Sequence, residues 1–240
     1  MMKFSKPFFD LQLRFAERVA ELSGLPLEQT LLDYTNLYVR FGLGRAFDPQ
    51  DLIWLEFLAG LAAAEDRAGW TWRFFQSRDP FPAPSPMVAT FGCFSYALAP
   101  NGYIRLHFEN VDPDGQSPLS TARRETRLAE LRALFDHVKN TQPSVTHAAG
   151  VSWLYNLPAY RRLFPGSYLA TAKIAERRFQ NMPLWGQFLD RHGAVRADAA
   201  KTFLKRLSHQ SEIEHLTDCF PLQPLNLEAP LRDFYKFHYI

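Results

Sequence analysis

The stretch Val88-Ala89-Thr90-Phe91-Gly92-Cys93-Phe94-Ser95-Tyr96-Ala97-Leu98-Ala99-Pro100-Asn101-Gly102-Tyr103-Ile104-Arg105-Leu106-His107-Phe108-Glu109 decides the fold. Its two runs, Val88 to Leu98 and Tyr103 to Glu109, are rich in aromatic and apolar residues and flank Pro100-Asn101-Gly102. That pattern predicts a β-hairpin. A three-residue loop with Gly102 in the left-handed region sets the register. Leu98 then faces Ile104, Tyr96 faces Leu106 and Phe94 faces Phe108, so the large apolar side chains share one face. The other face collects Cys93, Ser95 and Ala97 opposite Glu109, His107 and Arg105. A two-residue turn would scatter the large residues over both faces.

On the C-terminal side, Asp112 to Ser117 reads as a turn-rich loop, followed by a helix from about Pro118 to Lys139. Its buried stripe is Leu128, Leu131, Phe135 and Val138, with Arg123, Arg124, Arg127 and Arg132 mostly off it. A strand, Ala149 to Tyr155, a short helix, Pro158 to Phe164, and a strand containing Leu169 to Ile174 come next. Trp185 to Arg191 and Arg196 to Leu207 are helical, separated by Gly193. The last twenty residues, with Pro221, Pro224 and Pro230, are expected to be extended.

On the N-terminal side, Phe8, Leu11, Phe15, Val19 and Leu22 recur at helical spacing until Gly24-Leu25-Pro26 stops the helix. Pro26 opens a second helix that ends at Gly42-Leu43-Gly44, a helix C-cap and loop rather than a dinucleotide fingerprint. Asp48 is the expected N-cap of a third helix through about Glu65, with Pro49 at its first position. Trp70 to Phe75 is β-prone, and Pro80 to Pro86 is irregular. The predicted class is therefore α/β (α+β): a mixed, mostly antiparallel sheet flanked by helices. One domain spans 1–180, with helices over 8–65 and the sheet over 70–180, and a helical extension covers 181–240.

Composition fits a large core. The 240 residues include 5 Trp, 9 Tyr and 21 Phe and are 47% hydrophobic, which excludes disordered and fibrous classes. Net charge is +2. Residues 161–240 carry 12 basic and 8 acidic groups, a +4 excess too small to point to nucleic acid. Leu52 to Ala64 is 13 residues long and contains Glu56, whereas a bilayer span needs about 20. Two cysteines, Cys93 and Cys219, give no disulfide framework. The expectation is a soluble protein of a reducing compartment, most simply the cytoplasm.

Familiar motifs fail. Asn110-x-Asp112-x-Asp114-Gly115 imitates half a calcium loop, but Thr121 stands where the bidentate Glu belongs, so an Asx-type turn is the reading. There is no Gly-x-Ser-x-Gly, Walker loop, His-Glu-x-x-His or Cys-x-x-Cys, and the histidines have no metal-ligand spacing, so no metal is expected. The Cys93, Ser95, His107, Glu109 face has the outline of a nucleophilic site. Its plainer reading is a partly polar sheet face with a structural His107.

Further along, the chain reads Val151-Ser152-Trp153-Leu154-Tyr155-Asn156-Leu157-Pro158-Ala159-Tyr160-Arg161-Arg162-Leu163-Phe164-Pro165-Gly166-Ser167-Tyr168. With the order of elements before it, this resembles the GNAT superfamily of N-acyltransferases over about residues 70–180. Asn156, Ala159 and Tyr168 match an Asn-x-x-Ala pattern with its later aromatic. Leu163 stands at the usual acid Tyr position, and Tyr160, one turn away, is the substitute. The resemblance implies acyl-CoA as co-substrate, with no metal, and transfer of its acyl group to an amine on a small molecule or a protein. Its pyrophosphate would lie at the helix N-terminus over Gln116, Ser117, Leu119, Ser120 and Thr121, with Arg123 and Arg124 as phosphate partners and Asn156 nearby. Gln116 fits the family's loop, while Leu119 and Thr121 replace its small residues. Glu109 is implied as the base, beside His107. The same fold as a catalytically silent binding module is the alternative, and a Cys/Ser hydrolase on the Cys93 face is the second.

Overall fold

The computed structural model describes residues 4–78, 87–112, 116–175, 181–190 and 192–240. The chain forms two units, Met1–Ser85 with Glu176–Gln223, and Pro86–Ala175 with Pro224–Ile240. The expected 1–180 domain and 181–240 extension do not coincide with these units: the N-terminal helices group with Glu176–Gln223, and the sheet groups with Pro224–Ile240. The return at Pro224 sends the tail back into the sheet unit instead of leaving it in a C-terminal extension.

The first unit opens with α1 (Lys6–Ser23), which ends at Gly24 with φ 70, as the sequence predicts. The second expected helix is broken into α2 (Leu27–Tyr34) and α3 (Leu37–Arg40). Thr35 causes the break: its hydroxyl donates to the Leu31 carbonyl and accepts from the Leu37 N–H, replacing helical partners. The next helix, α4 (Leu52–Ala63), starts three residues later than expected. Asp51, rather than Asp48, caps it, accepting from the N–H groups of Ile53 (2.9 Å) and Trp54 (3.1 Å). Asp48 instead closes a turn onto Gln50.

Trp70 to Phe75 is not a strand. It lies inside α5 (Arg67–Ser77), whose N-cap Asp66 accepts from the Gly69 N–H. Ala68, Thr71 and Phe74 are buried at three-residue spacing, and the Trp70 indole donates to the Phe57 carbonyl. Cap and burial override the β propensity of the aromatics. Residues 80–86, read as irregular, lie outside the described residues.

The sheet unit follows the chain as β1 (Ala89–Phe91), β2 (Phe94–Ala99), β3 (Tyr103–Phe108), α6 (Arg124–Thr141), β4 (His147–Ser152), α7 (Pro158–Arg161), α8 (Gly166–Leu169) and β5 (Lys173–Ile174). The chain then adds α9 (Ala197–His209) to the first unit and returns with β6 (Leu225–Pro230) and α10 (Leu231–His238). The six strands form one mixed sheet in the order β1-β2-β3-β4-β6-β5, parallel only at β3–β4.

The hairpin register is the predicted one: Phe94↔Phe108, Tyr96↔Leu106 and Leu98↔Ile104. Leu98, near the hairpin tip, is 53% exposed despite lying on the apolar face. The first predicted strand is two strands, because Gly92, at φ 57, and Cys93 form a two-residue turn between β1 and β2. Three further expectations are corrected. The strand at 149–155 starts earlier, at His147, and gives way at Trp153 to a 3-10 turn capped by Ser152. Most of 169–174 is not strand; α8 takes Leu169, and β5 keeps two residues. The tail forms β6 and α10, with Pro224 and Pro230 bracketing β6 rather than dissolving it.

Each unit has its own core. In the first, Phe15, Trp185, Phe188, Phe203 and Phe220 pack together, with ring centroids 5.6 Å apart for Phe15–Trp185, 5.1 Å for Trp185–Phe220 and 4.9 Å for Phe188–Phe203. In the second, α6, α7, α8 and α10 cover one sheet face, with Phe94, Tyr96, Ile104, Leu134, Phe135 and Phe234 buried. Arg127, expected on the solvated side of α6, is 1% exposed. It shares the spacing of the buried Leu131, Leu134 and Val138.

His238 stacks on Phe135 (5.4 Å between centroids), and burial, helped by Arg132, lowers its pKa to about 4. The unfolded chain takes up this proton from about pH 6.5 downward, and the fold does so only near 4. Stability is therefore expected to fall by about 2–3 kcal/mol between pH 6.5 and 4. His238→Phe should flatten that part of a denaturant-midpoint profile against pH; an unchanged slope would refute the assignment.

Candidate functional site

The parallel ladder between β3 and β4 is short. It pairs Tyr103↔His147, Ile104↔Ala148 and Arg105↔Ala149, and stops. Both strands run on, β3 still paired to β2 through Phe108 and β4 still paired to β6 through Ser152. Residues 106–108 and 150–152 thus turn facing backbone edges towards each other without pairing. Because the strands are parallel, this gap in the pairing lies at their carboxyl ends, where open α/β sheets place their ligands. The segment after β3 and the 3-10 turn Trp153–Asn156 leave from the same end.

Beneath the gap lies a phenol chain. The Tyr155 and Tyr168 hydroxyls are 2.7 Å apart, and Tyr155 also hydrogen-bonds Tyr160. All three side chains are buried. Burial, as the largest cause, raises each phenol above its ordinary pKa, so the protons stay on. Gly150, the first β4 residue past the ladder, makes room: an added Cβ would lie 2.1 Å from the Tyr155 oxygen and 2.6 Å from that of Tyr168.

The segment after β3 is anchored at both ends. At its entry, one Nη of the buried Arg127 donates to both Asp112 oxygens at 2.9 Å. The other Nη lies 3.0 Å from Glu130, whose carboxylate accepts the Cys93 N–H and reaches over Gly92. Burial outweighs Arg127 and raises the Glu130 pKa. At its exit, Arg162 donates to the carbonyls of Leu119 and Ser120, both at 2.9 Å. A 3-10 turn, Thr121–Arg123, then leads into α6.

The residues singled out by sequence fall in different places. Glu109 is exposed, and its N–H donates to the Cys93 carbonyl, extending the hairpin. His107 pairs across the strands with Ser95. Tyr160 is 2% exposed and packs against Phe94 and Phe108, on the opposite face of β3 from Glu109 and His107. Gln116, Ser117 and Thr121 are exposed, Ser120 is half-buried, and Leu119 packs against the core. Arg123 lies 3.9 Å from Asp112 and Arg124 2.9 Å from Glu125, so each cation faces a carboxylate of its own chain. Asn156 donates to the Trp153 carbonyl and pins the 3-10 turn. The supposed calcium-like loop includes residues 113–115, which lie outside the described residues.

The Cys93 face makes a poor nucleophilic site. Cys93 is 2% exposed, and burial raises its thiol pKa, whereas a nucleophile needs the thiolate. Arg127, Asp112, Glu130, Gly150, Tyr155 and Arg162 are absent from the sequence-derived site. Only Arg127 carried a usable signal, its place on the buried helical stripe. Two open depressions, of ≈ 260 and ≈ 360 Å³, belong to the first unit, lined respectively by Arg206, His209 and Cys219 and by Asp10, Arg14 and Asp66; none of the predicted residues lines them. No described helix is long and apolar enough to cross a membrane. No family model matches the chain, and neither a curated protein nor a solved structure matches it.

Proposed function

We propose that the sheet unit is a GNAT-like acyltransferase module that takes an acyl group from acyl-CoA and passes it to an amine. The observation that carries this reading is the ladder between β3 and β4 that stops after three pairs while both strands continue. A strand-like arm can lie along such facing edges and use their backbone groups. An anion at the same end would meet the N–H groups of Thr121 and Ala122, which have no acceptor inside the turn, while Arg123 and Arg124 face Asp112 and Glu125. Acyl-CoA, when bound, supplies the activated thioester.

In this reading the exposed Glu109 accepts a proton from the acceptor amine, directly or through water. The Tyr160 phenol, kept protonated by burial, stands on the other side of β3, its hydroxyl engaged with Tyr155. Asn156 holds the turn that carries the chain into α7. Two free cysteines fit a reducing compartment such as the cytoplasm.

Titration of acetyl-CoA and longer acyl-CoAs, read by thermal unfolding, tests the reading. Ligand at 100 times its Kd should add about 2.7 kcal/mol to stability. An unmoved transition at millimolar ligand would refute it. Where an acceptor is turned over, Glu109→Gln should lower kcat about 10²-fold with little change in acyl-CoA affinity. The silent binding module is favoured by a specific feature, the sealing of Tyr160 and Leu163 in the core at 2% and 1% exposure. Acyl-CoA binding without turnover across an amine panel would select it.

A further inference from the structure

The helices α6, α7, α8 and α10 pack on one face of the sheet, and the opposite face carries none of them. We propose that this open face is a self-association surface, on which a second copy of the chain packs about a two-fold axis running along β4. Strand pairing places Ala97, Arg105, Ala149 and Glu228 in one row across β2, β3, β4 and β6. One row further along, Tyr103 on β3 and Pro230 on β6 flank β4. By the two-residue period of a strand, all six point away from the helices. Arg105 and Glu228 are exposed, and among the described residues neither side chain has an ion pair or a hydrogen bond. Between and beside these two opposite charges the row offers only alanines. Solvated sheet faces carry polar residues in alternation, whereas a small apolar centre depleted of charge marks an interface.

Neighbouring strands lie about 4.8 Å apart, so Arg105 and Glu228 stand about 10 Å from each other, on either side of Ala149. A two-fold axis along β4, in the plane between two stacked sheets, exchanges the β3 side of one copy with the β6 side of the other. Arg105 of each copy then stands over Glu228 of the other, and the ion pair is made twice. Tyr103 meets Pro230 of the second copy in the same way. Ala149, on the axis, and Ala97 leave room for the long Arg105 side chain at the spacing of about 10 Å between packed sheets. A row that matches itself when turned over is self-complementary, which a two-fold interface requires. The face spans roughly 15 Å each way, so the dimer belongs to the small, reversible class. Acyl-CoA plays no part in it.

Sedimentation equilibrium of the full chain from about 1 µM to about 1 mM should show monomer and dimer with a Kd on the order of 100 µM. Raising the salt from about 0.05 to about 0.5 M should weaken the dimer. Arg105→Glu and Glu228→Arg each set like charges opposite one another twice, and each should raise Kd more than about tenfold. An equimolar mixture of these two single variants should dimerise as the wild type does, because each copy then offers the charge the other needs. Both changes in one chain should also restore the dimer, yet that chain should not pair with the wild type. A wild type monomeric across the range, or a dimer that neither reversal weakens, would overturn the proposal. So would single variants that remain monomeric when mixed. Should a reversal prevent folding, Arg105→Gln and Glu228→Gln should each weaken the dimer about threefold, and an unchanged Kd in both would overturn it equally.

Discussion

Gly150→Ala should lower the free energy of unfolding by about 3 kcal/mol. The new methyl group would start 2.1 Å from the Tyr155 oxygen and 2.6 Å from that of Tyr168. Neither phenol can retreat cheaply, because Phe164 packs on both rings at 5.5 and 5.6 Å between centroids. Overpacking of a filled core costs about 1–3 kcal/mol, and parting two buried hydroxyls adds about 1 kcal/mol. The cause is separable from backbone effects. Tyr155→Phe removes the oxygen nearest the methyl, so Gly150→Ala with Tyr155→Phe should lose less than the sum of the single changes. Chemical denaturation of the four proteins measures that coupling. Additive losses would mean that the missing side chain at 150 serves something other than the phenols.

Arg127→Met should cost more, about 3–5 kcal/mol, because it leaves Asp112 and Glu130 with no buried cation between them. Arg127 is 1% exposed and the two carboxylates 13% and 16%. The loss should vary with pH in a defined direction. Burial raises the Glu130 pKa in the fold above its ordinary value of 4.5. Its contribution to stability is thus present below 4.5 and lost as pH rises through the raised value. Removing Arg127 raises that pKa further, so the gap between variant and wild type should widen from acid towards neutral pH. Denaturant midpoints across pH 4 to 8 measure it; a gap independent of pH would contradict the assignment.

These two residues also mark what a sequence can and cannot disclose. The hairpin register is legible because alternation, loop length and Gly102 all agree, and a slip of one residue would turn every large side chain over. Trp70 to Phe75 misleads because the deciding features, the Asp66 cap and the three-residue spacing of Ala68, Thr71 and Phe74, lie around the aromatics rather than in them. Prolines mislead in the tail, where they delimit β6 instead of forbidding it. The order of elements makes the positions of Glu109, just after β3, and of the loop before α6 legible. Gly150 and Arg162 are not: the Leu119 and Ser120 partners of Arg162 are distant in the chain, and nothing local to Gly150 shows that the Tyr155 and Tyr168 phenols come to lie over it. Arg127 stands in plain view at helical spacing, and its charge hides it.

The order of strands bears on synthesis as well as on shape. β6 lies between β4 and β5, yet it is translated about fifty residues after β5, with α9 made in the interval. While those residues emerge, β4 and β5 have no common neighbour, and the outer edge of β4 is bare. A nascent chain therefore carries an open strand edge until Leu225–Pro230 arrives to close it, the period when such edges recruit other chains. The first unit waits similarly for Phe203 and Phe220. Neither unit can be finished from the ribosome in a single pass, and each is completed only by a stretch of chain made long after its first elements.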